Sequence, residues 1–399
     1  MQASHFSAYL EARDRAVADT VRAAAARIPV LHTRLIAAGI DAGAVRGCAD
    51  LDRLPILSKD QLIELQRAAP PFGGLLAADA PRARLFCSPG PLYEAQPSGD
   101  DPWRWKAALQ AAGFRRGMRA LNCFSYHLSP AGAMLDEACL ALGVTVIPAG
   151  VGNLELTVQA IADLGVDAYV GLPSYLKALA EKANERRLHW PVRRALVSGE
   201  PLPASLRALL EPHVPRVLQA YATAELGLLG YETDAESGLL IPDGVLVQIC
   251  DLETGLPRYD AELGQVVVTL LRSDVGLLRF GTGDLSAWQA SRTGSPRLRG
   301  ILGRIGEALK VRGMFIHPRQ AAAALAGLPE IARQRFVVRR VQHQDQLRCE
   351  LLLLPGAEAA GLMELVRDRI RSWLRLSAEV VCVPELPEGP GLVDERDWH

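Results

Sequence analysis

Lysine is scarce in this chain: five, at 59, 106, 177, 182 and 310, stand against 39 arginines, and none follows Lys310. The formal net charge is −1, which leaves no basic surplus for a phosphate backbone and excludes nucleic acid as the expected partner. Long hydrophobic runs are missing too. No stretch approaches the roughly 18 apolar residues of a membrane span. Residues 1–11 lack the cationic-then-apolar pattern of a secretory signal, so no membrane partner is predicted and the expected location is the cytoplasm. The seven cysteines are an odd number, scattered, with no CxxC pair, which argues against a disulfide framework and a zinc site. A Gly-x-Ser-x-Gly elbow is absent as well, which weighs against an α/β-hydrolase.

What is present is ample core material. With 399 residues and 49% hydrophobic side chains, the chain is too long for one ordinary core and should divide into a large domain, 1–302, and a small one, 303–399. The first 80 residues read as a helical cap, with apolar residues at helical spacing over 9–28 and a capping box at Ser58-Lys59-Asp60-Gln61 opening a helix to 68. Strands are predicted at 144–148, 167–170, 195–198 and 217–220, with helices at 154–164, 174–188 and 203–212. That alternation specifies an α/β fold with a mostly parallel sheet covered by helices. Residues 238–288 form a β-subdomain with strands at 245–250 and 265–271. A small α+β domain follows, with strands at 335–341, 348–354 and 380–383 and helices near 318–326 and 358–374.

Ligands of open α/β sheets bind beyond the carboxyl ends of the strands. The polar clusters obey that rule: Gly171-Leu172-Pro173-Ser174, Ser198-Gly199-Glu200-Pro201 and, after Ala220, Tyr221-Ala222-Thr223-Ala224-Glu225 each leave a predicted strand. Further on come Arg279-Phe280-Gly281-Thr282-Gly283-Asp284-Leu285, then Gly303-Arg304, then Lys310-Val311-Arg312-Gly313. Taken singly, Asp284 reads as a turn aspartate and Tyr221 as a core tyrosine. The ordered set is far more specific.

In that order the segments resemble the nucleotide site of the adenylate-forming acyl-CoA synthetases, the nearest likeness being the phenylacetate-CoA ligase family, over about 54–386. The resemblance implies a reaction in two halves: a small-molecule carboxylic acid attacks the α-phosphate of ATP, giving an acyl-adenylate and pyrophosphate, and coenzyme A then displaces AMP. It implies that Tyr221 stacks on adenine, beside Ser198, Gly199, Glu200, Pro201, Ala220, Ala222 and Thr223. Glu225 holds Mg2+ against the phosphates, Asp284 accepts the ribose hydroxyls, and Arg304 reaches ribose or phosphate beside a hinge where Gly306 replaces the family's aspartate. His127, in Phe124-Ser125-Tyr126-His127, faces the acyl carboxylate. Tyr126, Leu172, Tyr175, Ala131, Gly132 and Ala222 suggest a flat slot for an aryl or arylacetic acid. Lys310 and Arg312 would meet coenzyme A as the small domain turns. The expected assembly is a monomer or homodimer.

Three departures stand out. Alanines replace the glycine and the hydroxyl residue of the family's Tyr-Gly-x-Thr-Glu pattern. The phosphate loop, in which Ser88 and Gly90 are the candidate contacts, reads Ser88-Pro89-Gly90-Pro91-Leu92-Tyr93-Glu94, with an acid where a cation belongs. A carboxylate about 4 Å from a phosphate charge costs on the order of 4 kcal/mol at an effective dielectric of roughly 20; Arg82, Arg84 and Arg104 are the candidates to offset it. Finally, the family's Gly-Lys step after Leu-Pro is missing, since Leu386-Pro387 leads to Glu388-Gly389-Pro390-Gly391-Leu392. Losing one preorganised charge-stabilising group costs about 2.7–4 kcal/mol. Two readings follow: a complete ligase, and a relative that binds AMP, an acyl-adenylate or coenzyme A without full adenylation.

Overall fold

Apolar residues at 17, 21, 24, 28, 31 and 35 recur at alternating steps of three and four, and all six are buried. Five of them lie on two helices, Gln2–Arg27 and Pro29–Ala37, and Ile28 caps the second, which is opened by Pro29, whose fixed φ suits a first helical position. Both pack on a core shared with Leu246, Val268 and Phe280. Each of the valine, isoleucine and leucine side chains contributes roughly 1.5–3 kcal/mol on burial. The computed structural model describes residues 2–396 apart from 89–91, 262–263, 292–293, 306–308, 313, 317, 358 and 375. The chain divides into two compact units, Met1–Gly303 and Arg304–His399.

The first unit is built on a sheet of five parallel strands in the order Thr145–Pro148, Arg119–Asn122, Ala168–Gly171, Arg194–Val197 and Arg216–Thr223. Helices Leu154–Leu164, Pro173–Glu185 and Ala204–Leu210 connect its strands. Ala168–Gly171 is buried throughout, as a strand covered on both faces must be. The sheet does not stay parallel, however. Arg216–Thr223 runs three residues past the predicted end and folds back on Gly227–Tyr231 as an antiparallel hairpin, and the sheet then continues through Leu239–Leu240, Arg297–Leu298 and Trp288–Gln289. Gly227–Leu228–Leu229–Gly230 is buried and lacks alternation, which is why the period-2 pattern concealed this strand.

A second, antiparallel sheet carries Val245–Cys250, Gly264–Leu270 and Phe280–Ser286. Phe280–Ser286 is the Arg-Phe-Gly-Thr-Gly-Asp segment laid out as a strand. A Cβ at Gly281 would stand 2.4 Å from Nε2 of Gln265 and 2.9 Å from Cγ2 of Ile56, so a side chain there would displace both neighbours.

The larger sheet of the second unit runs Ala378–Cys382, Gln344–Leu353, Ile331–Val341 and Leu392–Asp394 in that order. Helices Pro318–Leu325 and Ala359–Leu374 accompany them. Leu362, Val366, Ile370 and Leu374, four apart, bury one face of the longer helix against Phe336, Val338, Cys349 and Leu392. The fold is therefore α/β in the first unit and α+β in the second.

Candidate active site

Residue 57 bridges to the strand that carries Asp284: the Leu57 amide donates to the Arg279 carbonyl at 2.8 Å, and the Gly281 amide to the Leu57 carbonyl at 3.0 Å. The next residue starts a helix. Ser58 caps Lys59–Ala68 by accepting from the Gln61 amide at 3.2 Å, and the Gln61 side chain accepts from the Ser58 amide at 2.9 Å. Lys59 is thus the first helical residue, where the helix dipole disfavours a cation. Its ammonium instead meets Oε1 of Glu225 at 2.6 Å, with the Glu225 side chain only 5% exposed. Burial pushes the Glu225 carboxyl up, but Lys59, joined by hydrogen bonds from the Glu225 amide and Thr223, outweighs this and leaves it below the usual carboxylate range.

Glu225 sits at the tip of the hairpin between Arg216–Thr223 and Gly227–Tyr231. The tip is shaped by Thr223, whose hydroxyl accepts from the Leu226 amide at 3.2 Å. It is closed by Gly227, at φ +74° with the Trp103 backbone and side chain 2.9 Å from where a Cβ would lie.

The phosphate-loop segment is a second hairpin, Leu85–Ser88 against Leu92–Ala95. It is bound to the Lys59 helix by Gln66, which donates to the Tyr93 carbonyl and accepts from the Tyr93 amide, both at 2.8 Å. The Ser88 hydroxyl donates to Oε1 of Glu94 at 2.7 Å. Oε2 of Glu94 is buried and meets no hydrogen-bond partner among the described residues. Burial first, and the Glu225 carboxylate second, push the Glu94 carboxyl up to about 8 against the opposing pull of Ser88 and Lys59. It therefore holds its proton at neutral pH, and the expected repulsion of phosphate falls away.

The arginines proposed to offset Glu94 are occupied elsewhere. Arg82 donates to the carbonyls of Ala77 and Ala78, Arg84 to Gln96 and Glu137, and Arg104 to the carbonyls of Leu226 and Leu228. The cation acting on Glu94 is Lys59, which sequence reasoning read only as part of a capping box. The available signal was a lysine at a helix N-terminus in a chain with five.

Tyr221, only 8% exposed, donates its hydroxyl to Oδ2 of Asp284 at 2.7 Å. The Asp284 amide in turn donates to the Thr282 hydroxyl at 3.1 Å. Two residues 63 apart in sequence, one from each sheet, are thereby joined. Ala220 is buried and Ala222 half-buried on the same strand.

Ser198 follows the strand Arg194–Val197, with its amide donating to the Gly171 carbonyl at 3.1 Å. Gly199 turns the chain at φ +89°, and Glu200, ahead of Pro201, accepts from the Ser174 hydroxyl at 2.6 Å. Two predicted polar clusters thus meet through one hydrogen bond. In the aromatic segment His127 is exposed, while the Tyr126 hydroxyl is tethered to Asp136 at 2.7 Å and that of Tyr175 to the Gly152 carbonyl at 3.3 Å. Gly132 lies under the Tyr126 ring, 2.9 Å from where a Cβ would be.

In the second unit, Arg304 is its first residue, Lys310 pairs with Phe315 on the short hairpin of Leu309–Val311 and Met314–Ile316, and Arg312 donates to the Asp345 carbonyl at 2.8 Å. The Lys310 side chain and residues 90, 306 and 313 lie outside the described residues. Leu392, next after Gly391, is 3% exposed in the unit's core and pairs with Phe336.

A mixed sheet that delivers its motif residues to one end, beside an antiparallel sheet bearing Asp284, is the frame of the adenylate-forming enzymes. The solved structure of a 2-hydroxyisobutyryl-CoA ligase, in complex with its acyl-adenylate and coenzyme A, matches with a TM-score of 0.86 over 97% of this chain and 90% of that one, at 23% identity. No family model matches the chain. A phenylacetate-coenzyme A ligase of Thermus thermophilus is 30% identical over 341 residues, 80% of this chain and 76% of the relative. That of Aromatoleum evansii is 25% identical over 391 residues, 92% of this chain and 88% of the relative. The chain belongs to the phenylacetate-coenzyme A ligase family, whose members are acid-thiol ligases.

Proposed function

We propose that this protein activates an aryl or arylacetic acid with ATP as an acyl-adenylate and passes the acyl group to coenzyme A. The observation that carries the reading is the Tyr221–Asp284 hydrogen bond at 2.7 Å, which brings the adenine-stacking and ribose-binding candidates to one place. Tyr221 would offer its ring to the base, and Asp284 its carboxylate to the ribose, a two-acceptor task suited to that group. Ser198, Gly199, Glu200 and Pro201 would border the base. Tyr126 and Gly132 would bound a flat acyl slot, with the exposed His127 beside it.

Glu225 would hold Mg2+. The donor set fits, because Mg2+ is usually bound by one or two carboxylates with phosphates and water supplying the remainder, and Glu225 is an ionised carboxylate that already binds a cation. When bound, the ion neutralises phosphate charge during the displacement. Lys59, with its side chain 31% exposed, has room to turn from Glu225 toward a phosphate. Glu94, protonated, presents no charge to repel one. Arg304, Lys310 and Arg312 would act from the second unit, Arg304 on ribose or phosphate and the other two on coenzyme A.

One observation favours a narrower activity. At the step after Gly391, where the family's Gly-Lys motif would place its lysine, Leu392 belongs to the hydrophobic core, and no lysine follows Lys310. On this second reading the chain binds a preformed acyl-adenylate and carries out only the transfer to coenzyme A. Carboxylate-dependent exchange of pyrophosphate into ATP, run with a panel of aryl acids, separates the two. Exchange together with coenzyme A thioester formation from the free acid and ATP establishes the full ligase. Thioester formation from a supplied aryl acyl-adenylate without exchange establishes the second, and the absence of both removes the proposal.

A further inference from the structure

Lys59 and Glu225 come from different layers of the first unit. Lys59 opens the helix that Leu57 anchors to the strand of Asp284, whereas Glu225 tips the hairpin that continues the parallel sheet. Their side chains meet at 2.6 Å with unequal exposure, 31% for Lys59 and 5% for Glu225. Oε1 of Glu225 is buried, and the ammonium is part of what covers it. Of the two partners the lysine is the one with a route to solvent. A second cation therefore reaches that oxygen by displacing the ammonium.

Displacement by a cation alone is unfavourable, because it breaks the ion pair and returns the ammonium to water without a partner. The helix offers it little, since a first turn presents N–H groups rather than open carbonyls. The hairpin Leu85–Ser88 and Leu92–Ala95 lies beside that helix, joined to it through Gln66 and Tyr93. Its acid that interacts with Lys59 is Glu94, which is already engaged: Oε1 accepts from Ser88 at 2.7 Å, and Oε2 is buried. An anion that accompanies the incoming cation changes the balance, because it receives the ammonium as the cation receives the carboxylate.

We infer that Lys59 is a hand-over residue: it covers Glu225 until the outer phosphates of ATP arrive, then transfers its ammonium from Glu225 to those phosphates and so opens the carboxylate to the divalent cation that accompanies them. Lys59 takes this part only if the nucleotide binds as proposed above. Every charge keeps a partner throughout the hand-over. Cation and phosphate then bind together better than either does alone, and the coupling is reciprocal. A salt bridge that merely held the hairpin would act differently, since its loss would weaken both ligands alike.

The test measures binding rather than turnover, on the full chain. Without nucleotide, Mn2+ followed by the paramagnetic resonance of the free ion should bind Lys59→Met about tenfold or more tighter than wild type, a size usual for coupled sites. The gain should vanish when Glu225→Gln is added. In EDTA, calorimetry should show ATP bound about tenfold more weakly by Lys59→Met, and more tightly than wild type by Glu225→Gln, in which the ammonium is released. AMP, which lacks the outer phosphates, should bind all of these proteins alike. AMP bound by wild type, with Mn2+ and ATP affinities unmoved or both weakened in Lys59→Met, overturns the hand-over and leaves the nucleotide site standing. Failure of wild type to bind AMP overturns the nucleotide site and the hand-over with it. If Lys59→Met does not fold, Glu225→Gln decides: unchanged or weaker binding of ATP in EDTA overturns the hand-over.

Discussion

The ammonium of Lys59 lies 2.6 Å from Oε1 of Glu225, so the carboxylate that the family resemblance assigns to Mg2+ is neutralised by a lysine from the first turn of a helix 166 positions earlier in the chain. That pair, with the protonated Glu94 beside it, sets the charge of the proposed phosphate end of the site. Its consequences can be measured.

Lys59→Met strands an ionised, buried carboxylate. Removing one partner of a fully buried pair costs about 3–5 kcal/mol; because Lys59 is partly exposed, about 2 kcal/mol is expected by urea denaturation at pH 7. The lowered Glu225 group contributes stability above the ordinary carboxylate value, and that contribution is lost as pH falls through the lowered one. The variant should therefore approach the wild type in acid. Lys59→Met combined with Glu225→Gln should recover most of the loss at pH 7, and a double variant no better than the single one would contradict the pairing.

Glu94 gives the opposite sign. Its carboxyl is raised in the folded state from 4.5 to about 8, so its contribution is fully present below the unfolded value and disappears as pH rises through 8. Glu94→Gln removes the penalty. Thermal melts should show the variant more stable than wild type at pH 8.5 and indistinguishable from it near pH 4.5; parallel pH profiles would show that Glu94 is not the buried acid described.

Glu225→Gln keeps the shape and removes the charge. Pyrophosphate exchange in the presence of MgCl2 should fall about a hundredfold or more, the scale typical for one lost electrostatic group. Exchange at the wild-type rate would take Glu225 out of the metal role.

Tyr221 separates ring from hydroxyl. Tyr221→Phe loses one buried hydrogen bond to Asp284, about 1 kcal/mol of stability, but keeps the stacking face. Tyr221→Ala loses the face as well, and base–aromatic stacking is worth about 1–3 kcal/mol, so AMP affinity by calorimetry should drop roughly 5- to 150-fold. Equal AMP affinity in the two variants would mean that the ring does not meet adenine.

Leu392→Lys places a charge in a position 3% exposed. It should destabilise the chain by about 3 kcal/mol, from lost packing and a poorly solvated ammonium, without raising pyrophosphate exchange. A gain in exchange would show that the core yields there and that the missing lysine alone limits adenylation.

The sequence by itself determined most of the secondary structure, because the signals involved are local. The capping hydrogen bonds of Ser58 and Gln61, the helical spacing through 154–164 and the continuous apolar run of 245–250 are written within a few neighbouring residues, and the observed elements Leu154–Leu164 and Val245–Cys250 keep those limits. The ordered motifs also carried the family. What the tertiary structure decided is the electrostatics. Glu94 is unfavourable in a phosphate loop only while it is charged, and its charge depends on burial and on Glu225, 131 positions away. Lys59 became part of the site only once Leu57 paired with the strand through Gly281, and Arg104 left it by folding onto the Leu226 and Leu228 carbonyls. Propensity and periodicity are properties of a short segment, whereas the protonation of a buried acid is fixed by whichever distant charges the fold brings within a few ångströms.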